Sequence, residues 1–393
     1  MKAIILRAWE WTRLKPLSNT VPKPLIQIFG KSILEHNIEN IYDKVDEIII
    51  IIKYKKEIII ETFWNNYKWV KITYVEQNDE KWTWRAIRNI KLKNTEILLL
   101  NGDSIFSKKD LDNIIFLDWF WALVKKVNQP NKYWIFKQNS LWFALEIIEK
   151  PEEYVWDLAN LWVYKFDSSI IEISKNIPLS IRWEYEITDS INEFLKFNKF
   201  KLIEISGEFI DIWYPWDILQ ANKYFLNKLN KDQINWIIEP WVYIKWNIIL
   251  EEWAILKSWT YIEWNIYIWK NTSIWPNTYL RWDTVIWSNC HIWASVEIKN
   301  SSIWNKTNVA HLSYIWDSII WNNVNIWGWF ITANLKHNKS NIKVMIKWNL
   351  IDSNRHKLWV IIWDNVKTWI KTCTYPGRII ENDSFTIPWE IVK

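Results

Sequence analysis

The chain has 393 residues, half of them hydrophobic and about a quarter charged, which is an ordinary composition for a globular protein of two or three domains. Its net charge of +5 is spread over scattered basic residues, which argues against a nucleic-acid or membrane-surface partner, and the longest apolar run, Glu47 to Lys53, is too short to span a bilayer. Two cysteines and an opening without a leader pattern predict a cytoplasmic protein that has no disulfide framework.

The tryptophan content is abnormal, with 36 Trp against 5 Gly, and the tryptophans stand where turns are expected, as in "KWTWRA" and "IEWNIYIWKN". A residue with a Cβ pays about 1–2 kcal/mol in the left-handed conformation that such turns need. Repeated over many turns, this cost would exceed a typical stability of about 5–15 kcal/mol. We therefore interpret most of these tryptophans as glycine in the native host, encoded by a UGA codon that some bacterial lineages translate as glycine and another code translates as tryptophan. Trp216, in "YPWD", is the one that we most readily expect to be genuine.

Residues 1–228 alternate short apolar runs with amphipathic stretches. The runs "KAIIL", "DEIIIII", "KITYVEQ" and "TEILLLNGD" predict strands, and "SILEHNIENIYDK" predicts a helix between the first two. This alternation predicts an α/β fold, with a Rossmann-like, doubly wound, mostly parallel sheet that binds ligands at the carboxyl ends of its strands. A linker is expected at 229–240.

Residues 241–393 follow a hexapeptide rhythm. Ten aliphatic residues stand six apart from Ile244 to Ile298, and after a slip of one the rhythm resumes at Ile303. A period of six is typical of a triangular coil with one inward residue for each flat side. The sequence therefore predicts a C-terminal left-handed parallel β-helix of hexapeptide repeats, interrupted at 335–357 by a loop or hairpin.

The opening segment "ILRAWEWTRLKP" follows the first predicted strand. With glycine at Trp9 and Trp11 it becomes a loop of bare N–H groups followed by Thr12 and Arg13. The N–H groups suit triphosphate oxygens, and Arg13 would neutralise their charge. The loop is not a Walker A motif, because no Gly-Lys-Ser/Thr follows it. Downstream, "VPKPL" places Lys23 between two prolines.

The motifs "EQNDEKWTWRA", "LLLNGDS", "IIEKPEE", "ANLWVYKF" and "DIWYPWD" follow in order. With glycine at the tryptophans, the ordered set resembles the sugar-1-phosphate nucleotidyltransferases over about the first 225 residues. The pattern departs from that family at Arg7 and Arg85, where the family prefers small residues, or a histidine at the second position. The resemblance implies nucleotide contacts at Leu6, Trp9, Trp11, Thr12, Gln77, Trp82 and Thr83, sugar contacts at Trp134, Glu149 and Asn160, catalytic roles for Arg13, Lys23 and Asp103, and a Mg²⁺ site at Asp103 and Asp211.

In the reaction that this resemblance implies, a sugar 1-phosphate attacks the α-phosphorus of a nucleoside triphosphate in line and pyrophosphate leaves. Both reactants are anions, so positioning and charge neutralisation matter more than a protein nucleophile. Lys23 would clamp the sugar phosphate, and Arg13 the pyrophosphate. The residue types alone leave other interpretations open, because an Asp at a strand end is also a common turn former and Glu149–Lys150 is also a plausible solvated pair.

The coil carries "YLRW", "SVEIKNSSIW", "NVAHLSYIWDS" and "ITANL" in order. This set is similar to the acetyltransferase domain of bifunctional glucosamine-1-phosphate acetyltransferases that are also N-acetylglucosamine-1-phosphate uridylyltransferases, in particular the archaeal type. An amine must be deprotonated to attack a thioester, which makes His311 the predicted general base, although a solvated histidine is the simpler interpretation of a lone one. The acetyl-acceptor residues implied are Arg281, Lys299, Tyr314, Asn325, Asn334 and Lys343. Pockets of this family lie between neighbouring coils, which implies a homotrimer.

The main interpretation is a bifunctional enzyme that acetylates glucosamine 1-phosphate from acetyl-CoA and joins the product to UTP with Mg²⁺, giving UDP-N-acetylglucosamine. One alternative is a glucose-1-phosphate thymidylyl- or uridylyltransferase, using dTTP or UTP, whose coil serves mainly for oligomerisation. Another is a non-catalytic protein whose coil scaffolds a trimer. Neither nucleic acid nor a membrane is an expected partner.

Overall fold

The computed structural model describes residues 1–6, 14, 21–77, 87–88, 90–180, 185–333 and 335–393. By their contacts they form two compact units, the first drawn from 1–10, 22–26 and 32–211 and the second from 11–21, 27–31 and 212–393. The predicted boundaries at 228 and 241 remain predictions. Within the described ranges no helix is long and apolar enough to cross a membrane. Both cysteines, Cys290 and Cys373, are free thiols.

The helices form where apolar residues recur at helical spacing. The predicted helix after the first strand is present and begins at a capping box, in which the Ser32 hydroxyl accepts from the Glu35 N–H and the Glu35 carboxylate accepts from the Ser32 N–H. The α-helices of the described residues are α1 (Ile33–Ile41), α2 (Lys56–Phe63), α3 (Lys108–Phe116), α4 (Ser169–Lys175), α5 (Ile187–Leu195) and α6 (Asp217–Leu226).

The first unit is built on a ten-stranded sheet in the order β11-β10-β12-β7-β1-β4-β6-β5, with β9 paired to both β12 and β13. The strands up to the coil are β1 (Lys2–Leu6), β2 (Gln27–Ile28), β3 (Lys31–Ser32), β4 (Glu47–Ile52), β5 (Asn66–Tyr67), β6 (Val70–Glu76), β7 (Glu96–Asn101), β8 (Ser104–Phe106), β9 (Phe120–Lys126), β10 (Trp134–Gln138), β11 (Ala144–Glu149), β12 (Leu158–Asp167), β13 (Phe200–Glu204) and β14 (Phe209–Asp211). The central strands β7, β1, β4 and β6 run parallel, which confirms the predicted α/β fold.

The second unit contains a coil with three flat faces of parallel strands. Face 1 comprises β15 (Gln233–Ile234), β18 (Ile248–Leu250), β21 (Ile266–Ile268), β24 (Thr284–Ile286), β27 (Ser302–Ile303), β30 (Ile319–Ile320), β35 (Val360–Ile362) and β38 (Arg378–Ile380). Face 2 comprises β16 (Ile237–Ile238), β19 (Ile255–Leu256), β22 (Ser273–Ile274), β25 (His291–Ile292), β28 (Asn308–Val309), β31 (Asn325–Ile326) and β36 (Lys367–Thr368). Face 3 comprises β17 (Tyr243–Ile244), β20 (Tyr261–Glu263), β23 (Tyr279–Arg281), β26 (Glu297–Lys299), β29 (Tyr314–Trp316), β32 (Ile331–Thr332), β37 (Cys373–Thr374) and β39 (Ile391–Val392).

The predicted hexad lines the core of this coil. From Leu250 to Ile326 its aliphatic residues are fully buried and form one cluster, and Ile244 packs against that cluster. The slip in the rhythm has a structural cause, because Ile248 pairs with Ile266 in the early coils whereas Val285 pairs with Ser302, so the later coils are one residue shorter. The predicted interruption contains a hairpin of β33 (Lys343–Ile346) and β34 (Asn349–Asp352). The left-handed β-helix class is confirmed.

Tryptophan occupies strained positions throughout the described residues. Among the described residues, six buried or half-buried tryptophans have indole nitrogens without a hydrogen-bond partner: Trp269, Trp275, Trp287, Trp321, Trp359 and Trp363. A buried polar group left this way costs about 1–3 kcal/mol. In the part of the chain that the structure describes, twelve other tryptophans have a positive φ: Trp64, Trp119, Trp142, Trp162, Trp241, Trp253, Trp259, Trp264, Trp282, Trp329, Trp348 and Trp389. Glycine would remove both costs, so these positions agree with the glycine hypothesis, which remains a prediction.

Candidate active sites

Part of the predicted phosphate loop lies outside the described residues. The predicted site residues that lie outside the described residues are Trp9, Trp11, Thr12, Arg13, Trp82, Thr83 and Asn334. The two residues that depart from the family pattern, Arg7 and Arg85, also lie outside them.

The switch point of the first sheet lies at the carboxyl end of β1, which has β4 on one side and β7 on the other. Ligands of doubly wound sheets bind beside such a point. Leu6 ends β1, and its carbonyl accepts a hydrogen bond from the Gly102 N–H over 2.9 Å. Asp103 follows Gly102 directly. The predicted metal ligand therefore emerges beside the start of the predicted phosphate loop.

Lys23 joins the two predicted metal ligands. It opens the short 3₁₀ turn Lys23–Leu25, which Pro22 precedes and which contains Pro24, and its side chain is fully buried. Its Nζ lies 3.2 Å from Oδ2 of Asp103 and 3.0 Å from Oδ1 of Asp211. The structure thus brings together three residues that the sequence places 80 and 188 positions apart.

A short antiparallel pairing explains how Asp211 reaches Asp103. Strand β14 pairs with β8 so that Asp211 stands opposite Ser104. Strand β8 is fixed in turn by two asparagines of α1: Asn37 Nδ2 donates to the Ser104 carbonyl over 2.6 Å, and Asn40 Nδ2 donates to the Phe106 carbonyl over 3.0 Å. Asn37 is completely buried.

The electrostatics of this cluster suit a divalent cation. Burial raises the pKa of Asp103 above its usual range; the Lys23 ammonium opposes that shift in pKa, and the charge of Asp211 adds to it. Two carboxylates that meet one buried cation offer the hard oxygen donors that Mg²⁺ prefers, and Mg²⁺ commonly takes one or two carboxylates together with substrate phosphates. Among the described residues there is no group of three or more His, Cys, Asp or Glu side chains that could hold a metal.

Gln77 and the predicted sugar contacts lie on the same sheet. Gln77 is buried directly after β6, and its N–H donates to the Ile52 carbonyl at the end of β4 over 2.9 Å. Trp134 and Glu149 stand opposite each other in β10 and β11. Asn160 is buried on β12, where its Nδ2 donates to the Tyr164 hydroxyl over 2.5 Å and its Oδ1 accepts from the Trp162 N–H.

Three of the predicted acetyl-acceptor residues share face 3 of the coil. Arg281 is in register with Lys299, and Tyr314 begins the next strand, β29. The Arg281 Nε lies 3.4 Å from Oε1 of Glu297, which is in register with Tyr314. These side chains therefore form one polar patch along neighbouring strands.

Lys299 is the most enclosed cation of that patch. Its side chain is buried, and its Nζ lies 3.9 Å from the Trp282 ring and 4.1 Å from the Trp316 ring. Burial lowers the pKa of Lys299 to about 8, against the attraction of Asp317, whose Oδ2 lies 3.9 Å from Nζ. An anionic phosphate in contact with this ammonium would restore its charge.

The other predicted residues of the acetyl site, the general base His311 and the acceptor residues Asn325 and Lys343, lie elsewhere on the coil. His311 lies at the corner between faces 2 and 3, with its ring 5.0 Å from the Trp293 ring. Asn325 is on face 2, in register with Asn308 and Lys367. Lys343 begins the hairpin and is exposed. A single chain therefore does not gather the whole predicted set into one concave pocket within its described residues.

Three residues that contact these sites were not predicted from the sequence. Asn37 and Asn40 lie on α1, where a buried asparagine interrupts an otherwise apolar helix face, and that interruption was a readable signal. Asp317 follows the "AHLSYIW" motif directly and is 95% buried beside Lys299, although nothing in its spacing distinguished it from a turn residue.

Comparisons with known proteins cover almost the whole chain. Residues 2–227 match the nucleotidyl transferase family model. The chain is 42% identical over 379 residues to the bifunctional protein GlmU of Methanocaldococcus jannaschii, covering 96% of this chain and 91% of that protein. It is 37% identical over 382 residues to a bifunctional sugar-1-phosphate nucleotidylyltransferase/acetyltransferase of Sulfurisphaera tokodaii, covering 96% and 93%.

Two further similarities concern the N-terminal part. A UTP–glucose-1-phosphate uridylyltransferase of Haloferax volcanii is 30% identical over 240 residues, covering 57% of this chain and 96% of that protein. A solved Bacillus anthracis structure, named as a glucose-1-phosphate thymidylyltransferase in complex with a sucrose, has a TM-score of 0.52 and 23% identity, covering 58% of this chain and 96% of that one. At that identity the structural similarity concerns the fold alone.

Proposed function

Because the chain belongs to the nucleotidyl transferase family and its near full-length relatives are bifunctional, we propose that it makes UDP-N-acetylglucosamine in two steps. The coil acetylates glucosamine 1-phosphate from acetyl-CoA, and the α/β unit joins the product to UTP with release of pyrophosphate. The observation that chiefly supports the nucleotidyl step is the buried contact of Lys23 with Asp103 and Asp211 at the switch point of the sheet. A cytoplasmic location belongs to the same proposal.

In the nucleotidyl step Asp103 and Asp211 would hold Mg²⁺. When bound, the ion neutralises phosphate charge and stabilises the leaving pyrophosphate. Lys23 directs its ammonium to the same place from a proline-stiffened turn, so it would position the sugar phosphate for in-line attack. Arg13 and the loop N–H groups would bind the triphosphate, Gln77 with Trp82 and Thr83 the base, and Trp134, Glu149 and Asn160 the sugar.

In the acetyl step His311 would take the proton of the acceptor amine as that amine attacks the thioester. Arg281 and Lys299 would hold the sugar phosphate, and Tyr314, Asn325, Asn334 and Lys343 would complete the pocket. These residues lie on two faces, one corner and a hairpin of the coil, and in this proposal a neighbouring copy contributes the other wall of the pocket. This divergence supports the homotrimer, with a pocket between subunits.

Paired variants of the full chain test the two assignments. Asp103→Asn should lower the rate of pyrophosphate release by about 10³-fold or more while acetyl transfer continues, because charge stabilisation at a transferring phosphoryl group is the main catalytic term. Asp110→Asn is the matched control, since Asp110 is a buried carboxylate of the same unit that accepts from the Ser206 and Gly207 N–H groups. Undiminished nucleotidyl transfer in Asp103→Asn would remove the assignment.

The acetyl-transfer assignment is tested by a variant that should impair acetyl transfer and leave nucleotidyl transfer intact. His311→Ala should lower acetyl-CoA-dependent thiol release by about 10²–10⁴-fold and leave pyrophosphate release unchanged. His291→Ala is the control, because His291 lies one coil earlier on face 2, where its Nδ1 contacts the Ser273 hydroxyl. If His311→Ala and His291→Ala release thiol from acetyl-CoA at equal rates, the coil would serve as a scaffold only.

A substrate panel decides the nucleotide and the sugar. UTP and dTTP are each incubated with N-acetylglucosamine 1-phosphate and with glucose 1-phosphate, and pyrophosphate is followed. We expect the highest kcat/KM for UTP with N-acetylglucosamine 1-phosphate. A preference for dTTP with glucose 1-phosphate would replace the proposed substrates.

A further inference from the structure

Three polar residues stack at the corner where face 3 passes into face 1. Asp283, Asn300 and Asp317 each take a left-handed conformation, with φ of 38°, 44° and 43°. The Asp317 N–H donates to the Lys299 carbonyl over 2.9 Å, and the Asp317 carbonyl accepts from the Trp359 N–H over 3.2 Å. The backbone of Asp317 is thus hydrogen-bonded to Lys299, the residue whose ammonium lies near the Asp317 carboxylate.

The Asp317 carboxylate is buried and oriented. Its Oδ1 accepts a hydrogen bond from Asn300 Nδ2. Its Oδ2 lies 3.9 Å from the Lys299 Nζ and has no hydrogen-bond partner among the described residues. A buried carboxylate oxygen is costly unless a cation compensates it, and Lys299 is the cation that the structure places there.

Lys299 is the cation that pairs with this carboxylate. The charged groups that act on Lys299 are Asp317, Lys357, Arg281 and Glu297. Burial raises the pKa of Asp317, and the hydrogen bond from Asn300 and the charges of Lys299, Lys357 and Arg355 oppose that rise. Glu297 lies beside Arg281, and among the described residues Asp317 is the anion within 4 Å of the Lys299 ammonium.

We propose that Asp317 is a positioning residue of the acetyl-acceptor site, which holds the Lys299 ammonium in place and charged for the phosphate of the acceptor sugar. This inference rests on the proposed function, in which Lys299 binds that phosphate. The ion pair itself is made by the Lys299 and Asp317 side chains. The rings of Trp282 and Trp316 contribute to the burial of Lys299, so the pH test below applies to the chain with tryptophan at positions 282 and 316.

The inference has a pH-dependent consequence. Burial already lowers the pKa of Lys299 to about 8, and Asp317 acts in the opposite direction. Without the carboxylate the pKa of Lys299 falls further, so the ammonium loses its proton at a lower pH. As the pH rises, phosphate binding then begins to weaken at a lower pH than in wild type, while the proton transfer by His311 is unchanged.

The test is the KM for glucosamine 1-phosphate in the acetyl-transfer reaction of the full chain, measured from about pH 6.5 to pH 9. For Asp317→Asn we expect a KM close to wild type at the acidic end. For a pKa lowered by about one unit, KM should be roughly fivefold higher near pH 8 and approach tenfold near pH 9, since one unit of pKa is a factor of ten in protonation. We expect kcat to change little. A KM profile parallel to that of wild type, or a loss of kcat at constant KM, would overturn the inference.

Asp283→Asn is the matched control. Asp283 lies at the same corner with the same burial, but its neighbouring cation is Lys223, at 3.5 Å. The pH dependence of KM in this variant should match wild type. A shift equal to that of Asp317→Asn would contradict the specific pairing of Asp317 with Lys299. If Asp317→Asn does not fold by circular dichroism, Asn300→Ala takes its place, because it frees the carboxylate from its hydrogen bond. A smaller shift of the KM profile in the same direction is then expected, and the absence of any shift would overturn the inference.

Lys299→Met separates this inference from the proposed function. If this variant leaves KM unchanged, Lys299 does not bind the phosphate and the proposed acceptor site is wrong. If it raises KM while Asp317→Asn follows wild type throughout, only the role of Asp317 is wrong.

Discussion

The glycine hypothesis has a local test in the hairpin of β33 and β34. Its two turn residues, Lys347 and Trp348, both have positive φ, 48° and 64°. A two-residue turn of this kind favours glycine at its second position. Trp348 is 96% exposed, so its indole contributes almost no burial to the folded state.

The expected effect of Trp348→Gly follows from two opposing terms. Removing the Cβ relieves about 1–2 kcal/mol of left-handed strain, and the extra freedom of glycine in the unfolded chain takes back about 0.5–1 kcal/mol. The net gain of about 1 kcal/mol corresponds to a factor of about five in a local opening equilibrium. Hydrogen exchange of the ladder amides in the hairpin, followed by mass spectrometry, should therefore slow about fivefold.

The turn between β5 and β6 is the matched control. Trp69 also stands second in a hairpin turn, after Lys68, but its φ is not positive, and its ring packs edge-on against Tyr42 at 4.8 Å. Trp69→Gly should therefore speed exchange in its hairpin. Unchanged or faster exchange in Trp348→Gly, or slower exchange in Trp69→Gly, would refute the reasoning.

Two other predictions concern the intact protein and its pH stability. Protein purified from the native host should be lighter than 48.2 kDa by one indole-bearing side chain for each exchanged tryptophan, and an intact mass equal to that value would end the glycine hypothesis. Burial acts to raise the pKa of Glu47, but Lys2 and Thr73 outweigh burial and lower this pKa to about 2. Glu47→Gln should therefore cost about 3 kcal/mol at pH 7, as measured by urea unfolding. This stabilisation is present above the ordinary glutamate pKa and is lost as the pH falls through about 2, so the difference between variant and wild type should shrink toward pH 2. A difference that stays constant on acidification would contradict this.

Short-range patterns predicted the architecture well. The hexad identified the inward side chains because a triangular coil repeats its geometry at each side, and even the slip after Ile298 corresponds to a shorter coil. The apolar runs likewise gave the parallel strands. These features depend only on residues that are near one another in the chain.

The candidate sites were less accessible to sequence reasoning. The pairing of β14 with β8 brings Asp211 to Asp103, and neither segment carries a local signal of that register. Asn37 is buried against the Ser104 carbonyl and Asp317 beside Lys299, and spacing in the sequence does not encode either contact. The predicted role of Arg13 stays a prediction, since it lies outside the described residues.

The pairing of β14 with β8 also bears on the order in which the protein becomes competent during synthesis. One acid of the cluster is made early and the other arrives with Asp211, at the last strand before the coil unit. A nascent chain released before that strand has nearly all of the sheet but only one of the two acids. Premature termination in this interval should therefore yield a product that lacks nucleotidyl transfer, whatever its remaining structure.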